Sequence, residues 1–222
     1  THYPPDTETE LAIVKQEARV PEVSATGPTA DVPDFMAEVV AELSQLARQS
    51  PHINQHSGVS VRLSISNYET LIANATRRAL RLGEPEAVPR VSDLAALVSS
   101  THGKVEIEAL EEGREDRILQ ALVSAAVLAV FRDRVPTEGL GPVVAAFDDK
   151  KVVHAGDDLP ASSYVSMVSD IPGLEKLVLG LAGGEAPGRV ASAAEFILEG
   201  LHLTKRLNKE AAGAKATYRG RG

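Results

Sequence analysis

Apolar residues recur every three or four positions over most of this chain, a spacing that places them on one face of an α-helix. The clearest segment is Glu115 to Arg134, whose apolar positions form a broad face. The same spacing predicts further helices over residues 8–18, 33–50, 64–81, 93–100, 161–169, 173–181 and 190–208. Thr7 and Glu10 match a capping box, and Pro33 occupies a favoured first helical position. The pattern therefore predicts a mainly α fold.

A cluster of helix-breaking residues divides the chain near position 138: Pro136, Gly139, Gly141 and Pro142. We expect a helical domain over residues 1–135 and a small α+β or helical domain over residues 140–208. Apolar runs at 143–147 and 151–154 predict two short strands joined as a hairpin. Residues 209–222 are expected to form a flexible basic tail.

Composition narrows the class of protein. The chain has 222 residues, of which 43% are hydrophobic and none is cysteine, so disulfides and thiolate metal sites are excluded. Neither a signal peptide nor an apolar run of about 18 residues is present, which favours a cytoplasmic location without membrane contact. The first residue is Thr1 rather than methionine, so we expect that a preceding part of the protein exists.

The distribution of charge bears on partners. A formal net charge of −8 argues against nucleic-acid binding by the body of the protein. The segment from Lys205 to Gly222 has the opposite character, because it contains six basic residues and one acid. It is either a solvated tail or a docking element for an anionic partner.

The sequence lacks the phosphate-binding loop that an ATP-hydrolysing enzyme of the P-loop type needs. Its single Gly-Lys pair, Gly103-Lys104, has no earlier glycine at the required spacing and is followed by Val105. We therefore do not expect this chain alone to be an enzyme or to bind ATP and magnesium by itself.

Three groups of residues have the composition of metal sites, and none has convincing spacing. His52 and His56 lie four residues apart, but Pro51 and Gly58 place them in a loop. Asp148 and Asp149 follow an apolar run and are better explained as a turn. The acidic residues between Glu106 and Asp116 are either a solvated face or a cation site, and we predict no metal ligands.

The segment Gly58-Val59-Ser60-Val61-Arg62 precedes the predicted third helix. An arginine at a helix start is electrostatically unfavourable, because the helix N-terminus is itself positive. An anion bound there would offset that cost, and both Arg62 and the free helix amides could contact a phosphate. The alternative is an ordinary exposed loop arginine.

Residues Gly58 to Arg81 resemble the sensor-2 segment of AAA+ ATPases, in the group of magnesium chelatase ATPase subunits and MoxR-like ATPases. In that group a Gly-x-Ser-x-Arg loop opens the third lid helix, although close relatives often have Ser-Pro where this chain has Ser60-Val61. Other stretches are similar to neighbouring parts of the family: residues 5–10, 88–94, 103–106, 117–131 and, more loosely, 195–201.

The resemblance implies that residues 1–135 are the helical lid of an AAA+ ATPase. Gly58, Ser60 and Arg62 would then contact the nucleotide, with Arg62 at the γ-phosphate. ATP and Mg²⁺ would be cofactors of the parent protein, bound by an upstream AAA+ core. The implied partners are that core, identical subunits in a ring, and a von Willebrand A-type protein that the ring remodels.

A different class of function also fits the composition. The chain could be a non-enzymatic helical interaction or adaptor module, with the basic segment after Lys205 as its docking element. A DNA-binding helical regulator is less consistent with the sequence, because the helical body is acidic.

Overall fold

The computed structural model describes residues 3–20, 27–54, 58–108 and 114–221, and it is mainly helical. The helices are α1 (Thr7–Glu17), α2 (Asp34–Gln49), α3 (Arg62–Leu82), α4 (Ala95–Thr101), α5 (Glu115–Arg134), α6 (Leu140–Asp148), α7 (Ala161–Ser169), α8 (Leu174–Ala182) and α9 (Pro187–Leu203). The strands are β1 (Thr29–Ala30), β2 (Glu86–Ala87), β3 (Val152–Gly156), β4 (Asn208–Ala212) and β5 (Lys215–Arg219). A 3₁₀ turn, Val91–Leu94, leads into α4. No helix within the described ranges is long and apolar enough to cross a membrane.

The helical periodicity of the sequence is confirmed in every segment where it predicts a helix. The bounds of α5 and α7 agree with prediction at both ends, whereas α9 begins earlier, at Pro187, and ends at Leu203. Pro187 occupies the first helical position, where its missing N–H leaves no internal hydrogen bond unmade.

Helix α9 is the centre of the core, because its side chains are buried on all sides. The ring of Phe196 packs against Phe35 of α2 at 4.8 Å and against Phe131 of α5 at 6.2 Å between ring centroids. Gly200 allows α5 to approach, since a Cβ at this position would lie 2.0 Å from the ring of Phe131. Contacts of this closeness fix the relative positions of α2, α5 and α9.

One hydrophobic cluster spans the predicted boundary near residue 138. It contains Phe35 and Phe131 from before the boundary, and Phe147, Tyr164 and Phe196 from after it. The division into residues 1–135 and 140–208 stays a prediction, and the apolar side chains of both segments pack together.

The predicted strand at residues 143–147 is wrong, because these residues belong to α6. Val143 and Phe147, four residues apart, are buried, while Ala145 between them is exposed. This spacing buries one helix face, whereas a strand would have buried all three. The second predicted strand is confirmed as β3, although it pairs with β5 rather than with 143–147.

The expected flexible tail at residues 209–222 is also wrong, since β4 and β5 form a hairpin there. The hairpin completes an antiparallel sheet in the order β3-β5-β4, and its turn contains Gly213 at φ 63°. Tyr218 anchors it, being 2% exposed and donating a 2.6 Å hydrogen bond to Glu199 of α9. Basic side chains of the hairpin are paired with acids, among them Lys209 with Glu199 at 2.7 Å.

Candidate functional site

The three residues predicted to contact nucleotide lie together where α3 begins. Gly58 adopts φ 70°, a left-handed conformation that favours glycine, and a Cβ there would lie 2.0 Å from the hydroxyl oxygen of Tyr3. Ser60 is exposed, and its hydroxyl accepts a 3.3 Å hydrogen bond from the amide of Arg62. Arg62 is the first helical residue, also exposed. The segment therefore presents one hydroxyl and one guanidinium to solvent.

The electrostatic environment at this helix start is positive. Helix α3 has 21 residues, its N-cap residue Val61 makes no side-chain cap hydrogen bond, and its first turn contains no acid. The Arg62 side chain makes no hydrogen bond or ion pair with any residue that the structure describes. A cation beside the positive end of a helix is destabilising by a few tenths of a kcal/mol, up to about 1 kcal/mol. An anion between them would make both interactions favourable.

A buried ion pair holds the loop before α3 in place. Arg48 of α2 donates through Nε to the carbonyl oxygen of Val59 at 3.0 Å, and its other two nitrogens contact the carboxylate of Glu10. The Glu10 side chain is fully buried, and that of Arg48 is 10% exposed. Ser64, in the first turn of α3, also donates to Glu10.

These contacts connect α1, α2 and α3 at one point. The guanidinium of Arg48 lies 5.2 Å from the ring centroid of Tyr3, the residue that covers Gly58. Arg48 therefore holds the loop through the backbone carbonyl of Val59, and the side chains of Ser60 and Arg62 remain exposed. Such preorganisation is what a ligand-binding loop requires.

The other sequence-predicted groups do not assemble into a site in the described ranges. His52 lies exposed in a turn, and His56 falls outside the described residues. Asp148 ends α6 and Asp149 follows it. Within the part of the chain that is described, no three His, Asp or Glu side chains could hold a metal ion together.

A second polar cluster lies at the far end of α3, and the sequence pattern gave no indication of it. Arg78 is bonded to Asp93 at 3.0 Å and to Glu84 at 2.9 Å. Arg90, fully buried, donates to the other oxygen of Glu84 at 2.8 Å and to the carbonyl oxygen of Leu159.

The same cluster reaches α9 through Glu195, which is 2% exposed. Its carboxylate accepts a 2.8 Å bond from the Ser92 amide and a 2.5 Å bond from the hydroxyl of Tyr164. Burial raises the pKa of Glu195, although the nearby Arg90 guanidinium and both hydrogen bonds oppose that shift. The cluster thereby joins residues around 78–93 to residues 159–195.

Comparison with protein-family models, with curated proteins and with solved structures finds no match to this chain. The function must therefore be inferred from the geometry of the two polar regions and from the resemblance of residues 58–81 to the sensor-2 segment.

Proposed function

We propose that this chain is the lid portion of a magnesium-chelatase-like AAA+ ATPase, in which Arg62 binds the γ-phosphate of ATP held by an upstream core. The observation that carries the proposal is the exposed Arg62 at the first position of α3, on a loop anchored by the buried Glu10–Arg48 pair. The helical fold is consistent with such a lid and does not by itself indicate it.

The electrostatics of the loop support an anionic ligand of this kind. Arg62 and the first amides of α3 are positive, and the first turn contains no acid to neutralise them. A guanidinium can donate two hydrogen bonds to one phosphate group. The amides of Arg62 and Leu63 already donate to Ser60, so the positive helix end contributes mainly through its dipole. The exposed Ser60 hydroxyl adds a further donor.

In this proposal Arg62 stabilises negative charge that develops during phosphoryl transfer, and the lid moves when that charge is lost. Catalysis of phosphoryl transfer depends largely on positioned cations, so a correctly placed arginine contributes to turnover rather than to folding. ATP and Mg²⁺ belong to the parent protein. Identical ring subunits and a von Willebrand A-type protein are the partners proposed with this function.

The test is ATP turnover by the protein that contains this chain, with Arg62→Ala compared with Arg77→Ala. Both arginines are exposed on α3, but Arg77 lies about four turns further along and, among the described residues, donates to Asn74. Loss of a charge-assisted contact of about 1.5–3 kcal/mol predicts that Arg62→Ala lowers kcat at least about tenfold. Arg77→Ala should retain the wild-type rate, and circular dichroism should show both variants folded.

Equal turnover by wild type and a folded Arg62→Ala variant would remove the phosphate-binding role. A parent protein without ATPase activity would do the same. The adaptor module would then be the better explanation. The basic segment that would serve such a module as a docking element is folded from Asn208 to Arg219 into the β4–β5 hairpin, where Lys209 and Lys215 are paired with acids.

A further inference from the structure

A cleft of about 500 Å³ lies between α4, α5, α9 and the β3-β5-β4 sheet. One wall is formed by α4 and α5, and the other by the inner face of the β3-β5-β4 sheet. Helix α9 forms its floor and contributes Glu195 and Glu199. The volume lies in the range of about 300–1,000 Å³ that is typical of small-molecule sites. Neither Arg62 nor Ser60 lines it.

A row of alanines leaves this cleft open. Ala155, Ala216 and Ala211 are register partners on the three adjacent strands, and all three line the cleft. The neighbouring row on the same face carries the larger side chains of Tyr218 and Lys209. Because a side chain longer than Cβ in the alanine row would occupy the space, the cleft is a consequence of the sequence and not of loose packing.

The floor of the cleft carries a carboxylate oxygen with unused hydrogen-bonding capacity. Oε2 of Glu199 accepts bonds from the Tyr218 hydroxyl at 2.6 Å and from the Lys209 ammonium at 2.7 Å. Oε1 accepts no hydrogen bond from any residue that the structure describes, although the side chain is only 10% exposed. Oε1 is not fully buried, so a ligand in the cleft can reach it. The hydroxyl of Ser92, in the adjacent wall, is fully buried and has no partner among the described residues.

Charge around the floor is also incompletely balanced. Among the described residues, the buried cluster that begins at Arg78 and ends at Glu199 contains one carboxylate more than it contains cations. The carboxylates are Glu84, Asp93, Glu195 and Glu199, and the cations are Arg78, Arg90 and Lys209. Desolvation raises the pKa of Glu195, and the Arg90 guanidinium opposes that shift. A cation in the cleft would lie beside both Glu195 and Glu199, which line it.

We propose that this cleft binds a small organic cation, a primary ammonium carried on a short apolar chain. The ammonium donates to Oε1 of Glu199, and the apolar chain lies between the alanine row and the valines of α4 and α5 that line the cleft, Val98, Val123 and Val127. The valine and alanine side chains in the walls favour an organic cation over a hydrated inorganic one, and Oε1 of Glu199 is placed to accept from an ammonium.

The test is isothermal titration calorimetry of the 222-residue chain with n-hexylammonium, and with hexan-1-ol as the neutral molecule of matched shape. We expect saturable one-to-one binding of the ammonium, and binding of the alcohol at least about tenfold weaker. Glu199→Gln removes the charge at nearly constant shape and should weaken ammonium binding at least about tenfold.

A second pair of variants tests the alanine wall without altering any charge. Ala211→Leu extends into the cleft from an exposed strand position, whereas Ala212→Leu makes the same change at an exposed neighbour that does not line the cleft. We expect Ala211→Leu to weaken ammonium binding at least about tenfold and Ala212→Leu to leave it unchanged. Absence of saturable binding to wild type, equal binding of the alcohol, or equal binding to both leucine variants would overturn the proposal.

Discussion

Replacing Arg48 by Met tests the buried ion pair that supports the loop of the candidate site. The pair joins α2 to α1: two guanidinium nitrogens of Arg48 lie 2.5 and 2.9 Å from the two carboxylate oxygens of Glu10. Among the described residues, the variant leaves the buried carboxylate of Glu10 with the neutral donors Ser64 and Gln45. It also releases the carbonyl oxygen of Val59.

The size of the effect follows from burial. Removing one partner of a buried ion pair costs about 3–5 kcal/mol, because the remaining charge is uncompensated. For a chain of this length, about 1 kcal/mol lowers Tm by about 2–4 °C, so Arg48→Met should lower it by about 10 °C. Glu10→Leu/Arg48→Met removes both charges of this pair and leaves neither partner unpaired. The double variant should therefore be more stable than Arg48→Met alone.

The assay is urea unfolding followed by circular dichroism, with thermal melts as a second measurement. Lys15→Met is the matched control, because Lys15 and Asp34 also join α1 to α2, at 3.1 Å, but with side chains 50% and 76% exposed. An exposed pair contributes at most about 1 kcal/mol. The reasoning is refuted if Arg48→Met costs no more than Lys15→Met, or if the double variant is less stable than either single variant.

Two further predictions concern α9 and its neighbours. Because burial raises the pKa of Glu195, its carboxyl group stays protonated to higher pH in the folded state than in the unfolded state. This carboxyl group therefore stabilises the fold at low pH, and that stability is lost as pH rises above the ordinary glutamate range. Urea unfolding at several pH values should show wild type losing stability relative to Glu195→Gln by up to about 1.4 kcal/mol per pH unit, and a constant difference would contradict this. In the same assay, Gly200→Ala should lower the free energy of unfolding by about 1–3 kcal/mol, because the new Cβ meets the ring of Phe131. Gly180→Ala should raise it by about 0.5–1 kcal/mol, because its Cβ meets nothing within 4 Å. Equal effects of the two variants would contradict the packing argument.

The helices could be predicted because their apolar spacing is long and regular. Glu115 to Arg134 repeats its apolar positions over 20 residues, and the predicted ends match α5. The five-residue run at 143–147 is too short to distinguish a helix from a strand by spacing alone. These residues form a helix because Val143 and Phe147 pack into the core, and those long-range contacts cannot be inferred from the local sequence.

The hairpin at the C-terminal end could not be predicted from hydrophobicity, because most of its residues are polar or alanine. Its weak signal is Gly213 between two segments in which Lys209, Ala211, Ala216 and Tyr218 share one face. Each segment alone resembles a solvated tail. The pairing with β3 and the anchoring of Tyr218 on Glu199 are contacts between residues far apart in the chain.

The residues of the candidate site also fall into two groups: those that the local sequence indicates and those that only the fold brings together. Gly58, Ser60 and Arg62 could be selected from local sequence, because glycine and a cation at a helix start have a local physical meaning. Glu10 and Arg48 could not be: the local pattern predicts that Glu10 caps α1 with Thr7, whereas Asp6 caps that helix and Glu10 is buried against Arg48. Sequence reasoning therefore found the exposed part of the site and missed the part that positions it.

Helix α3 is fixed at both ends by buried charge, and the two ends have different neighbours. At its start, Ser64 is bonded to Glu10, within the first three helices. Near its end, Arg78 is bonded to Glu84, whose carboxylate also accepts from the amide of Ala161 at 2.6 Å. Helix α3 is therefore joined by buried polar contacts to α1 at its start and to residues 159–195 near its end.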